Sequence, residues 1–486
     1  MITEIHIGIS SLAEKIAEKL SEGYGLMCMY ANEKGATERS IRTLLRKDSD
    51  IITFFTVIEG DSYGAISPAV PQVRPYEREM HEMSGLIPEG LTEKFGPQRL
   101  QWAYKDAYPL QKAPLPEERI FHPMPDNRME GDGVFEIPVG PVHAGIIEPG
   151  HFRFSVAGEP ILKVRTHFGY TYRGIEKLME GRSDSDRTRL IERVSGDTAV
   201  ANALAYAHAM EGDTEVPERA RYLRTIFAEL ERIYCHFGDI SGIAQDTGFS
   251  VPAVFGAGIK EKILRLNEIV GGHRFLMGTI VPGGVRRDIS DDSLKAIQNR
   301  ILKISFDIEE LVGMMEGSSF LMDRVETTGI LSHQDALTYR ALGPAARASG
   351  VKTDVRKELP YDAYGDVGFR VFTRDKGDVY SRMLVKAGEI VESTSIINQC
   401  LDRIRPGPLR AEVTPSEGLG LGIVEAPRGE LVHSAEIFNG DIWRYRIRDP
   451  SFINWLALER ALPGNIVADF PLINKSFNLS YSGNDL

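Results

Sequence analysis

Two stretches decide how this chain is read: Asp469-Phe-Pro-Leu-Ile-Asn-Lys-Ser-Phe-Asn-Leu-Ser480-Tyr-Ser-Gly483-Asn-Asp-Leu486 and Glu192-Arg193-Val194-Ser195-Gly196-Asp197-Thr198. Each sets two small residues three apart, Ser480 with Gly483 and Ser195 with Thr198. On a helix that spacing gives one shared face. It is the spacing of a C-x-x-C ligand pair without the sulfur. Serine and threonine hydroxyls stay protonated near neutral pH and are poor donors to a soft metal centre. Ser195 and Thr198 therefore read either as hydrogen-bonding residues at a helix start or as the lining of a remodelled cavity.

Around these stretches lie 486 residues, 42% hydrophobic and 26% charged. That is an ordinary globular composition, with room for more than one domain. The formal net charge of −12 argues against a nucleic-acid partner, whose phosphates demand a basic footprint. No run reaches the roughly 18 apolar residues a membrane span needs. Met1-Ile-Thr-Glu-Ile-His lacks the basic and then apolar pattern of a signal peptide. Attachment to a membrane is therefore expected only through partner subunits. Cys28, Cys235 and Cys400 lie far apart and form no C-x-x-C pair. They read as unrelated buried or free thiols. No metal site and no self-contained iron–sulfur cluster is expected, so electrons must come from a partner.

Pro109, Pro114, Pro116, Pro123 and Pro125 mark an extended connector, because proline at this density stops helices and central strands. The expected division is 1–112, a connector over 113–132, and a larger domain over 133–486. The expected class is α+β. The N-terminal part carries a helix with a Leu12, Ile16, Leu20 stripe and strands at Tyr24–Tyr30 and Asp50–Val57. Beyond the connector, strands are predicted at Gly133–Pro138, His151–Ala157 and Pro160–Thr166, followed mostly by helix. One helix runs from Pro217 to Phe237 with Gly238 as its stop. Ser290 starts another, with Leu294, Ile297, Ile301, Ile304, Ile308, Leu311 and Met315 as a packing seam. A third covers Asp378 to Leu401. Asp449-Pro450 opens a fourth, which Gly464 ends.

The C-terminal stretch resembles the end of the large subunit of membrane-bound nickel–iron hydrogenases, where a C-x-x-C pair supplies two thiolates. Glu192–Thr198 resembles their E-R-x-C-G-x-C motif. All four cysteine positions are replaced here, by Ser195, Thr198, Ser480 and Gly483. Pro75-Tyr-Glu-Arg-Glu-Met-His-Glu82-Met-Ser84-Gly85, with Tyr108-Pro109-Leu110, resembles the small hydrophilic subunit of respiratory complex I, with Glu82 and Ser84 at its aspartate and phenylalanine positions. Gly140-Pro-Val-His143 and Glu148–Phe154 resemble the entrance hairpin of the hydrogenase and complex I large subunits. His143 matches a histidine that faces a quinone headgroup, although the next residue is Ala144 rather than proline. Arg173-Gly174-Ile175-Glu176 resembles R-G-x-E, whose glutamate is linked to proton movement. Leu230–Phe237 resembles L-E-R-I-x-x-H-L, Pro282–Asp288 resembles P-G-G-V-R, and Gly377–Arg382 completes the set. Glu425–Glu430 resembles E-A-P-R-G-E, whose arginine, here Arg428, overhangs the hydrogenase cavity. Gly196 stands where complex I has its quinone-binding tyrosine.

In family order, these motifs are similar to the fused large subunits of formate-hydrogenlyase-type, energy-converting hydrogenases, in a cysteine-less variant. The resemblance implies a small complex I-like α/β domain followed by a helical bundle with a β-rich entrance. It implies an oxidoreductase subunit that no longer makes hydrogen and couples electron transfer to ion translocation; a redox-silent scaffold is the alternative. Glu176, His143 and Arg428 are the implied catalytic groups, each weighed against a structural role. Ser195, Gly196, Thr198, Ser480 and Gly483 are implied to line the cavity. Iron–sulfur clusters are expected in a small partner subunit, a quinone is a candidate acceptor, and antiporter-like and anchor subunits are expected in the membrane. The implied location is the cytoplasmic, inner face of the cell membrane. No C-terminal extension is expected to remain for maturation to cleave.

Overall fold

The computed structural model describes residues 2–34, 38–91, 98–100, 102–105, 107–121, 129–143 and 147–486. Pro123, Pro125 and Ala144 lie outside them. The chain is α+β, with several small sheets, and it groups into two compact units. One comprises Met1–Leu178, Thr338–Arg340 and Tyr481–Leu486. The other comprises Met179–Leu337 and Ala341–Ser480.

In the first unit, Ile2–His6, Asp50–Ile58, Glu38–Lys47 and Gly25–Lys34 form one sheet in that order, with the first pair parallel. The helix Ile9–Ser21 buries Leu12 and Ile16. The strand Glu38–Lys47 escapes the sequence patterns because it is rich in charge. Arg42 and Arg46 are nevertheless buried, and Arg42 pairs with Glu4 at 2.7 Å. The helix Arg74–Ser84 ends on Gly85, in the left-handed region at φ 74°, with the Tyr108 ring packed against it. Its acidic residues hold neighbouring chain. Glu77 accepts from Ile66 N and Ser67 N, Glu82 accepts from Gln98, Arg99 and Leu100 N, and Glu79 pairs with Arg99. The expected entrance strands are present as the antiparallel sheet Val134–Val139, His151–Ala157, Ile161–His167. Arg99 also grips the tail, donating to the carbonyls of Asn484 and Asp485 at 2.6 Å.

The second unit packs the long helices Glu218–Asp246, Ser250–Gly271, Asp291–Glu316 and Val379–Arg403. Caps fall where side-chain oxygens can serve open N–H groups: Ser290 accepts from Ser293 N, Asp378 from Ser381 N and Asp449 from Ser451 N. The predicted seam is buried from Ile297 to Met315. Two boundaries need correction. Gly238 does not stop its helix, which continues to Asp246. The buried face runs on past it through Ile240 and Ile243, and the atoms a Cβ there would meet belong to the flexible Lys260 side chain. The helix opened by Pro450 ends at Ala461, before Gly464.

The largest departure is a three-stranded antiparallel meander, Gly418–Ala426, Gly429–Phe438 and Asp441–Arg448, in a region expected to be mostly helical. Its first strand begins Gly-Leu-Gly-Leu-Gly, which reads as a loop. Tertiary packing explains the glycines. A Cβ at Gly420 or Gly422 would run into the carbonyl oxygens of Ala209 or Ala205 on the helix Ala199–Glu211.

Candidate functional site

The segment Glu192–Thr198 is a turn between helices. Ser195 is extended, at φ −142° and ψ 115°, and precedes one 3-10 turn, Gly196–Thr198, that leads into the helix Ala199–Glu211. Thr198 N donates to Ser195 O at 3.0 Å. Ser195 Oγ lies 2.8 Å from Ser480 Oγ and donates to Asp197 Oδ1 at 2.9 Å. A hydroxyl has one proton to give, so Ser480 supplies the proton shared by the two serines. Thr198 Oγ1 receives Asn202 Nδ2 at 3.4 Å.

Arg428 completes the arrangement. The register pairs Ala426 with Gly429, which leaves Pro427 and Arg428 as a two-residue hairpin tip. From there the guanidinium takes Asp197 through two bonds, 3.1 Å from Nη1 and 2.5 Å from Nη2. Burial would raise the Asp197 carboxyl, but the Arg428 charge outweighs it and holds the acid below its usual range. Arg428 Nε also donates to Asn478 O at 2.5 Å, and Ser480 N donates to Ser451 Oγ at 2.9 Å. Both fix the segment that presents Ser480.

The L-E-R-I-x-x-H helix supplies the floor. Tyr234 Oη and Cys235 Sγ both donate to Asp197 O, at 2.8 and 3.2 Å. Burial drives both groups well above their ordinary values, so the Cys235 thiol stays protonated. Glu231 accepts from Val200 N and Ala201 N, and burial pushes its carboxyl up to about 8. Behind these, Asp239 receives Asn478 Nδ2 at 2.5 Å and pairs with Lys386 at 2.6 Å.

Ser195, Thr198, Ser480 and Arg428 are thus gathered in the second unit, all buried, with Gly196 exposed beside them. Gly483, His143 and Glu176 belong to the first unit. His143 is half-buried, and its Nε2 contacts Gly150 O at 2.7 Å across its own turn. Glu176 is buried in the short helix Ile175–Leu178. Asp197, Tyr234, Cys235 and Asp239 were missed from sequence. The one usable signal was that a buried arginine needs a carboxylate, and Asp197 lies between the two hydroxyl positions.

The donor set does not fit a nickel–iron centre. Its four ligand positions offer three neutral hydroxyls and a glycine, and the Ser195 hydroxyl is already engaged by Asp197 and Ser480. Among the described residues, no group of three or more His, Cys, Asp or Glu side chains is placed to hold a metal.

Residues 246–417 and 410–485 match the family described as respiratory-chain NADH dehydrogenase, 49 Kd subunit. The chain is 32% identical over 440 residues to formate hydrogenlyase subunit 5 of Escherichia coli (strain K12), covering 87% of this chain and 77% of that protein. The chain belongs to the family of complex I and energy-converting hydrogenase large subunits. Within that family it is 33% identical over 350 residues to the carbon monoxide-induced hydrogenase of Rhodospirillum rubrum, covering 71% of this chain and 97% of that protein. It is 31% identical over 347 residues to a component of the NADH-quinone oxidoreductase of Clostridium beijerinckii (strain ATCC 51743 / NCIMB 8052), covering 68% of this chain and 91% of that protein. No helix among the described residues is long and apolar enough to cross a membrane.

Proposed function

We propose that this chain is the large subunit of a membrane-associated, energy-converting oxidoreductase complex that has lost the nickel–iron centre. It couples electron transfer from an iron–sulfur small subunit to ion translocation by antiporter-like membrane partners. One observation carries this reading. The frame of the family is kept, while two of its four ligand positions, Ser195 and Ser480, hold hydroxyls tied to the Asp197–Arg428 ion pair. Such a site binds through hydrogen bonds and fixed charge, which suits a quinone or a protonation change and not a thiolate-held metal. Glu176, His143 and Arg428 are the proposed working groups, with Ser195, Gly196, Thr198, Ser480 and Gly483 as lining. The complex sits on the inner face of the cell membrane.

A second reading has its own support. Ser195, Ser480, Asp197 and Arg428 satisfy one another, as the core of a redox-silent scaffold would require. Two measurements on the purified native complex separate these readings. Elemental analysis and dye-linked hydrogen evolution should find no stoichiometric nickel and no hydrogen; about one nickel per chain sinks the loss of the centre. Glu176→Gln should leave the complex assembled and depress coupled turnover. An assembled complex with unchanged turnover and pumping leaves the scaffold in front.

A further inference from the structure

Behind the site, the second unit holds a cluster of ionisable groups that the proposed function does not use. Glu229, Arg232 and His236 come from the helix Glu218–Asp246, Glu389 from the helix Val379–Arg403, and Glu425 from the first meander strand. Arg347 comes from the helix Gly343–Ala348, and Arg356 from the short helix Val355–Glu358, which Asp354 caps. None is more than 4% exposed. The contacts are continuous. His236 Nε2 lies 2.9 Å from Glu389 Oε2, and Arg347 Nε lies 2.8 Å from Glu389 Oε1. Arg347 Nη1 lies 2.9 Å from Glu425 Oε1. Arg356 bridges Asp354 at 2.7 Å and Glu229 at 3.0 Å. Arg232 lies 3.3 Å from Glu229 and 3.7 Å from Glu389.

The charges do not balance. Four carboxylates face three guanidiniums, which leaves one negative charge in a buried region unless one more proton is bound. The neighbouring lysines do not supply the missing charge: Lys386 and Lys475 face Asp239, and neither forms an ion pair or hydrogen bond with the four carboxylates. Two seats exist. His236 stacks between Glu389 and Asp239, whose Oδ2 lies 4.0 Å from Nδ1. Glu425 faces Arg347, Asp354, Arg232 and Arg356, and its Oε2 accepts from Val355 N. We propose that this cluster binds one exchangeable proton, carried by His236 or the Glu425 carboxyl, and is the proton store of the coupling subunit. This rests on the coupling reading above. Burial, opposed by Arg347, raises the Glu425 carboxyl to about 7, in keeping with such a seat.

The test is infrared difference spectroscopy of the native complex between about pH 6 and about pH 9, on either side of the Glu425 carboxyl. The wild type should lose protonated carboxyl absorption on going alkaline, part of it from Glu231, whose carboxyl burial pushes up to about 8. In Glu231→Gln a band should remain, and adding Glu425→Gln should abolish it. The remaining band should be at least as strong when His236→Gln is added instead, where one seat remains. No remaining band in Glu231→Gln, with or without His236→Gln, overturns the proposal, as does one that Glu425→Gln leaves unchanged. If the variants with Glu425→Gln do not assemble, the Glu231→Gln spectra with and without His236→Gln decide. The readout needs no turnover, so its failure leaves the nickel and turnover results standing on their own.

Discussion

Lys386→Met is the sharpest perturbation of the frame that presents Ser480. Lys386 is 2% exposed, and its ammonium reaches Asp239 at 2.6 Å and Ser476 O at 2.8 Å. Asp239 in turn holds Asn478, whose carbonyl takes Arg428. The two partners do not share the burden evenly. Asp239 faces Lys386, Lys475 and His236, which outweigh burial and hold it well below its usual range. Burial lowers Lys386, and Arg428 and Lys475 oppose its charge, so the ammonium is the less well served partner. At 2.6 Å and an effective dielectric of about 20, the Coulomb attraction is about 6 kcal/mol. Desolvation offsets much of it, so the intact pair adds little net stability. Removing one partner is different, because Asp239 is left charged and buried. The expected cost is about 3–5 kcal/mol. Two of the three tryptophans, Trp443 and Trp455, lie in the second unit, so intrinsic fluorescence follows its urea unfolding. Asp239→Asn combined with Lys386→Met should recover at least half of the loss, because no uncompensated charge remains. A single-variant loss below about 1 kcal/mol, or a double variant no better than the single, would refute the pairing argument.

Two further outcomes follow from packing and titration. Gly422→Ala places a methyl against the Ala205 carbonyl and should cost at least about 2 kcal/mol by the same assay; a neutral result would mean that strand and helix can separate freely. His433 is buried between Tyr445 Oη at 2.8 Å and Asn202 Oδ1 at 3.2 Å, and burial lowers it to about 3. Its neutral form is the folded one. The stability it contributes is full above the unfolded value of about 6.5 and is lost as pH falls toward the folded value, about 5 kcal/mol over the whole range. His433→Gln should flatten this acid limb, and urea midpoints at about pH 7 and about pH 4 that fall equally in both proteins would count against it.

The chain's motifs and periodicities carried the class, three of the four long helices, N-caps such as Ser290 and Asp449, and the entrance strands, but not the helix Ser250–Gly271. These are local: an N-cap oxygen, a three-four apolar seam or an alternating run acts on residues a few places away. The same locality explains the misses. Gly420 and Gly422 lie in a strand through pairing with Gly429–Phe438, against a helix surface over 200 residues earlier in the chain that leaves no space for a Cβ. Gly238 lies inside its helix because the buried face continues past it through Ile240 and Ile243.

The site divides in the same way. The sequence alone determined that the four ligand positions carry no thiolate, since that is a matter of residue type. It also named Arg428 from its motif. Only the tertiary structure placed Ser195 2.8 Å from Ser480, across 285 positions of sequence, and gave Arg428 the Asp197 carboxylate. It also gathered four acids and three arginines into one buried cluster. Composition is additive along a chain, whereas charge balance in a core depends on which groups burial has brought within a few ångströms of one another.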